Sequence, residues 1–324
     1  MGESLKFGRF FVSMNVATVI AVHHLEISKH LKITIESYYR WNVFPILVFD
    51  KLSPEVVEFI KILKKEKIDL PPVATVSWVT SGGIGVGHAR DVGLRHAVEL
   101  GFDCIINSDS HVVMMRDPRP ACASAFESGF SFIPHLTSPF DKFPQPSNAP
   151  QFYSVIHTLD LNQYADVYWC KFKPCGYDPV IVFSANALKK LMDAQSDKLI
   201  IGRGFGAELH DITMSLTRLG FYGACNPSVL YIHRVSTGEE EFWQKRWNQQ
   251  QLDLFMESMG VYLLKHVPEP YRSRSKYSPG LKRVQPWQKE LINQFNKVAV
   301  KSALDAYKEF VNSNPIIYPQ MQLF

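Results

Sequence analysis

Residues Gly101–His111 read GFDCIINSDSH: an apolar run, Phe102–Ile106, gives way abruptly to Asn107, Ser108, Asp109, Ser110 and His111. A short apolar run without polar alternation is what a strand covered on both faces looks like. The polar residues at its end then emerge at a sheet edge, where open α/β sheets bind their ligands. Asp109 and His111 are two apart, so on an extended segment both point to the same side. A carboxylate oxygen and an imidazole nitrogen together suit a borderline divalent ion such as Mn²⁺. A turn with a capping aspartate is the alternative.

Working outward, Ala17–Val22 (ATVIAV) and Phe44–Phe49 (FPILVF) are further buried strands, the second ending at Asp50. Residues 29–41 carry Leu31, Ile35, Tyr38 and Tyr39 at helical spacing. Ser53 and Pro54 have the residue types of an N-cap and a first helical position. A third strand is expected over Val73–Val79 and a helix over 88–99, with a glycine-rich turn between them. Strands alternating with helices predict a parallel sheet. Residues 180–193 repeat strand then helix, and the helix Glu208–Leu219 stops at Gly220. Beyond about residue 239 the chain reads as helical, interrupted by Pro268, Pro270, Pro279 and Pro286, with a last helix over roughly 287–312. This predicts a domain over 1–238 and a helical extension over 239–324.

Composition narrows the classes. The 324 residues are 46% hydrophobic and 20% charged, which is globular rather than disordered. A net charge of +4 permits nucleic acid as a partner without arguing for it. Five scattered cysteines suit a reducing compartment, and the expected location is cytoplasmic. No apolar run reaches the ~18 residues that span a bilayer. Phe10–Val22 has a faint signal-peptide character, but Ser13, Asn15 and Thr18 interrupt it, and it reads as the first strand. Residues 134–180 are rich in proline, and the aromatics of 131–180, among them Phe140, Tyr153 and Trp169, suit stacking on sugar rings and flat ligands around a binding cleft. The basic run Tyr271–Lys282 reads as a solvated linker or as a contact for an anionic acceptor.

The glycine-rich turn, Gly82–Gly93 (GGIGVGHARDVG), follows the third strand rather than the first and lacks the acidic residue of a dinucleotide fingerprint. Taken in order, ARDVGLRHA (Ala89–Ala97), GFDCIINSDSH and GFGAELHDITMSLTRLGF (Gly204–Phe221) resemble the nucleotide-sugar glycosyltransferases of the GT-A fold, family 2 most of all. Asp109 and His111 also resemble the D-x-H metal motif of polypeptide N-acetylgalactosaminyltransferases. Pro227 and His233 are similar to the Pro-x5-His segment that supplies a further ligand there.

The resemblance implies a Rossmann-like, mostly parallel central sheet flanked by helices, and sugar transfer from a nucleoside-diphosphate sugar, first of all a UDP-sugar, to an acceptor hydroxyl. It implies Mn²⁺ or Mg²⁺ as the cofactor, held by Asp109, His111 and His233. It puts His23, Asp50, Gly83 and Arg90 with Asp109 around the donor, and Glu208 and Asp211 in the catalytic role. Two positions depart from the family 2 pattern: Leu209 stands where the second acid of an E-D pair belongs, and Asn107 stands where D-x-D enzymes have aspartate. The acceptor stays open among glycan, protein, lipid and hydroxylated DNA base. The rival readings are a sugar-phosphate nucleotidyltransferase, whose phosphate loop would follow the first strand where His23–Ser28 stands, and a non-catalytic nucleotide-sugar binding protein.

Overall fold

The computed structural model describes residues 14–23, 27, 29–68, 72–75, 85–133, 135–137, 180–205, 207–225, 229, 231–233, 249–269 and 271–299. Ten strands are described: β1 (Val16–Val22), β2 (Phe44–Phe49), β3 (Pro72–Thr75), β4 (Cys104–Asp109), β5 (Val112–Met114), β6 (Gly129–Phe132), β7 (His135–Thr137), β8 (Ile181–Ser184), β9 (Tyr222–Cys225) and β10 (Tyr231–His233). The helices are α1 (Lys29–Tyr39), α2 (Pro54–Lys65), α3 (Val86–Glu99), α4 (Arg119–Ser128), α5 (Ala185–Ala194), α6 (Glu208–Arg218), α7 (Gln249–His266), α8 (Tyr271–Arg274) and α9 (Pro286–Val298), with a 3-10 turn over Ser278–Arg283.

Seven strands form the central sheet in the order β3-β2-β1-β4-β8-β6-β9. The β1–β2, β1–β4, β2–β3 and β6–β9 pairs are parallel, and β8 runs antiparallel to both its neighbours. This is the Rossmann-like, mostly parallel sheet flanked by helices that the sequence predicts. The reversed β8 is the exception. A strand buried on both faces reads as one apolar run in either direction, so its polarity leaves no mark in the sequence. A small second sheet, β5-β10-β7, sits beside the end of β4.

Every residue of β1 is buried, and its side chains divide by a period of two. Val16, Ile20 and Val22 enter one apolar cluster with α1, α2 and α4, while Ala17, Val19 and Ala21 enter a second with α3, α5 and α6. The helices of the C-terminal extension belong to that second cluster: Met259, Tyr262 and Leu263 of α7 and Phe295 of α9 are part of it. The basic run Tyr271–Lys282 folds as α8 and the 3-10 turn, and Gly280 of that turn packs backbone to backbone on Gly260 of α7. The expected helix 287–312 is described as α9, and its remainder, with the start of the extension and all of 138–179, lies outside the described residues.

Helix α3 lies close against the sheet at Gly93, where a Cβ would collide with Val19 and Val48. Alanine is the better helix former by about 1 kcal/mol, so a loss of stability on Gly93→Ala isolates this contact. We expect Gly93→Ala to destabilise the fold by about 1–3 kcal/mol, the range for overpacking, measured by urea unfolding; a gain in stability would contradict the close approach.

Candidate active site

The chain visits β1, β2 and β3 in one direction across the sheet and then places β4 on the other side of β1. The order of strands reverses there, and such a switch point opens a crevice beyond the carboxyl ends of the two strands. Three of the residues singled out from the sequence end strands at this edge: Asp109 pairs in register with Ala21, and Asp50 and His23 follow β2 and β1 directly. His23 Nε2 lies 3.5 Å from Asp50 Oδ2, and both side chains are buried. Asp50 Oδ1 also accepts from the Lys51 amide at 3.0 Å.

Helix α1 sets the position of the β4–β5 turn. Tyr38 donates its hydroxyl to Ser108 Oγ at 2.9 Å, Thr34 donates to the Ser110 carbonyl at 3.0 Å, and Ser37 Oγ accepts from the Met114 amide. The turn therefore cannot move without breaking buried hydrogen bonds, each of which costs about 1–3 kcal/mol when one partner is left behind. It presents Asp109 with its side chain 27% exposed, and His111 two residues on, with Ser110 Oγ 3.4 Å from His111 Nδ1. On β10, the His233 backbone pairs with Val112, the residue after His111. The His233 side chain and Gly83 lie outside the described residues.

Arg90 of α3 joins two of the expected acids. Its Nη2 donates to Asp109 Oδ1 at 2.5 Å and its Nη1 to Glu208 Oε1, with the Arg90 side chain 8% and the Glu208 side chain 6% exposed. Two features fix α3 for this task. Asp91 is buried and accepts from the amides of Leu199 and Ile200 and from Lys198 and Arg95. The first turn of α3 then meets the segment Gly202–Gly204 backbone to backbone: the Gly87 amide donates to the Arg203 carbonyl at 3.0 Å, and a Cβ on Gly85 or Gly87 would strike that segment. The glycine-rich turn is thus a packing device at this end, and the segment it packs on leads straight into α6 and Glu208.

Asp211 has a different neighbourhood from the one expected. It is buried, and its Oδ1 accepts from Lys265 Nζ at 2.8 Å and His266 Nε2 at 2.7 Å, both on α7. Burial alone would raise its pKa, but the Lys265 charge and the His266 hydrogen bond override that and hold it at about 2. A carboxylate so placed stays ionised at neutral pH, and its two bonds tie α6 to α7. Burial pushes Lys265 down to about 8 against the pull of Asp211, and holds His266 at about 3. His210, on the same helix as Asp211, is lowered to about 3 by burial and then by His266. Leu209 is part of the apolar core, which accounts for an apolar residue where an acid was expected. Lys265 and His266 were missed from the sequence; the signal was their place within the otherwise apolar run Val261–Val267.

The donor set of Asp109, His111 and His233 fits a divalent cation by its chemistry, one carboxylate and two imidazoles. Among the described residues no group of three or more histidine, cysteine or acidic side chains surrounds a point, a set from which the His233 side chain is absent. No described helix is long and apolar enough to cross a membrane.

No family model matches the chain. A curated relative, described as an uncharacterized 38.7 kDa protein of Thermoproteus tenax virus 1 (strain KRA1), is 29% identical over 194 residues, and the match spans 57% of this chain and 57% of the relative. Among solved structures, the chain is similar to a mannosyltransferase of Pyrobaculum calidifontis in complex with GDP-Man and Mn²⁺, at 12% identity and a TM-score of 0.46, covering 96% of this chain and 82% of that one. It is also similar to glucosyl-3-phosphoglycerate synthase of Mycobacterium tuberculosis with Mg²⁺ and UDP, at 11% identity and a TM-score of 0.44, covering 79% and 81%.

The α6–α7 junction makes the fold acid-sensitive. His210 and His266, depressed from 6.5 to about 3, stay neutral in the fold while the unfolded chain protonates, so their stability is complete above pH 6.5 and drains as pH falls toward 3. Asp211, depressed from 3.8 to about 2, adds a loss between those values. At pH 5 each histidine contributes a loss of roughly 2 kcal/mol. Urea unfolding at pH 7 and pH 5 should differ by roughly 4 kcal/mol from this pair; equal stabilities would contradict the buried neutral histidines.

Proposed function

We propose that this chain is a GT-A-type glycosyltransferase that moves a sugar from a nucleoside-diphosphate sugar, a UDP-sugar first, to an acceptor hydroxyl, using Mn²⁺ or Mg²⁺. The observation that carries this reading is the position of Asp109: the last residue of β4, at the switch point between β1 and β4, two residues before His111 and three before Val112, whose backbone pairs with His233. A nucleotide lying across that edge would meet the His23–Asp50 pair at the ends of β1 and β2, where an imidazole and a carboxylate can recognise a base or ribose.

In this reading Asp109, His111 and His233 hold the cation. When bound, it supplies positive charge to the β-phosphate as the bond to the sugar breaks. Glu208 is the proposed catalytic acid–base residue, because its side chain faces the same guanidinium as Asp109. Asp211 is proposed as the anchor of the helical extension beginning near residue 239. The reducing, cytoplasmic location rests on the scattered cysteines, of which Cys104 and Cys122 are buried thiols. The acceptor side is proposed to lie along residues 131–180 with the extension.

The test is metal-dependent nucleotide binding followed by turnover. UDP with Mn²⁺ at about 100 times its Kd should stabilise the fold by about 2.7 kcal/mol, read as a rise in melting temperature. Asp109→Asn should abolish the metal-dependent part of that rise, and Glu208→Gln should keep binding while transfer or donor hydrolysis falls by about 100-fold or more. Stabilisation without any turnover would favour the binding-protein reading; no response to UDP or GDP with either metal would remove the proposal.

A further inference from the structure

We propose that Arg90 is an internal counter-cation for the metal site: its guanidinium holds Asp109 before the divalent ion binds, and yields that carboxylate to the ion when metal and nucleotide arrive together. The inference rests on the function proposed above and goes further, because it makes metal affinity depend on the nucleotide through one positioning residue.

The geometry behind it is the pairing of one guanidinium with two acids from separate elements. Asp109 ends β4 and Glu208 opens α6, and Arg90 bonds both. Without Arg90, the two carboxylates that share this guanidinium would lose its charge, which raises the cost of keeping both ionised. The same charge stands on Asp109 Oδ1, one of the two oxygens that carboxylate could offer a metal, so a divalent ion approaching Asp109 would meet a cation already in place.

Two asymmetries decide which bond gives way. The Glu208 side chain is 6% exposed and the Asp109 side chain 27%, so the Arg90–Glu208 pair is the one shielded from competing water and ions. Helix α3 is also immobile, fixed by Asp91 and by the Gly87–Arg203 backbone contact, so the exchange needs only a side-chain rotation at Arg90. A guanidinium fork matches phosphate oxygens as well as it matches a carboxylate. Released from Asp109, it remains on Glu208 and turns its second prong to the diphosphate. Nucleotide therefore takes over the charge that the metal displaces, and the two ligands bind cooperatively.

The discriminating measurement is the affinity for Mn²⁺ by electron paramagnetic resonance, with and without UDP, alongside UDP affinity by calorimetry in the presence of Mn²⁺. In Arg90→Met, Mn²⁺ alone should bind on the order of tenfold tighter, while UDP in the presence of Mn²⁺ should bind on the order of tenfold weaker. Arg90→Lys keeps the charge but not the fork, and should restore the weak Mn²⁺ binding while leaving UDP binding impaired. The double variant Arg90→Met with Glu208→Gln removes the exposed imbalance of charge and guards against a fold too unstable to measure. A variant that is merely misfolded loses both affinities, so changes of opposite sign are the signature. Mn²⁺ affinity unchanged or weakened in Arg90→Met overturns the counter-cation role while the wild-type metal site stands. Failure of the wild-type protein to bind Mn²⁺ even with UDP overturns this inference and the proposed function together.

Discussion

Arg90 is held away from water by α3, β4 and α6, and its guanidinium is bonded to Asp109 and Glu208. Removing one partner from such a buried arrangement costs about 3–5 kcal/mol, because the remaining charges cannot recover their hydration. The constraint is stronger than a contact between two helices would be. It ties the end of a central strand to the start of a helix 99 residues later, through a single planar group whose two prongs have fixed directions.

The surrounding structure serves that placement. Asp91, next in sequence to Arg90, is spent on the amides of Leu199 and Ile200, so α3 is locked onto the segment that runs toward Glu208. Gly204 donates its amide to Ser258 Oγ at 2.8 Å, and Arg203 bonds Glu257, so the same segment is gripped from its other side by α7. The Asp211–Lys265–His266 junction lies one turn further along α6 and repeats the pattern. The C-terminal helices are thus a clamp on α6. Their buried polar groups are costly to desolvate and work only as complete sets.

Much of this was legible in the sequence. The runs at Ala17–Val22, Phe44–Phe49 and Phe102–Ile106 announce buried strands because they are dominated by apolar residues, and Asp50 and Asp109 mark the sheet edge because they follow those runs. The antiparallel direction of β8 left no trace, since direction does not alter burial. Helical spacing puts Asp211 on the face of Glu208, but its partners Lys265 and His266 lie 54 and 55 positions away on α7, a separation no local pattern encodes. Arg90 was noticed for its place in a motif, but its union with two acids at separations of 19 and 118 is a property of the assembled sheet. The glycines of Gly202–Gly204 carried a readable hint: alternate glycines before a helix mark a place where another backbone comes close.

The bond by which the α3 guanidinium holds α6 is measured directly by a double-mutant cycle on Arg90 and Glu208. With Arg90→Met, Glu208→Gln and the combined variant unfolded in urea at pH 7, the account predicts an interaction energy of at least about 2 kcal/mol. An interaction energy near zero, with the two losses simply adding, would mean that the two side chains do not meet in solution and would contradict the account at its base.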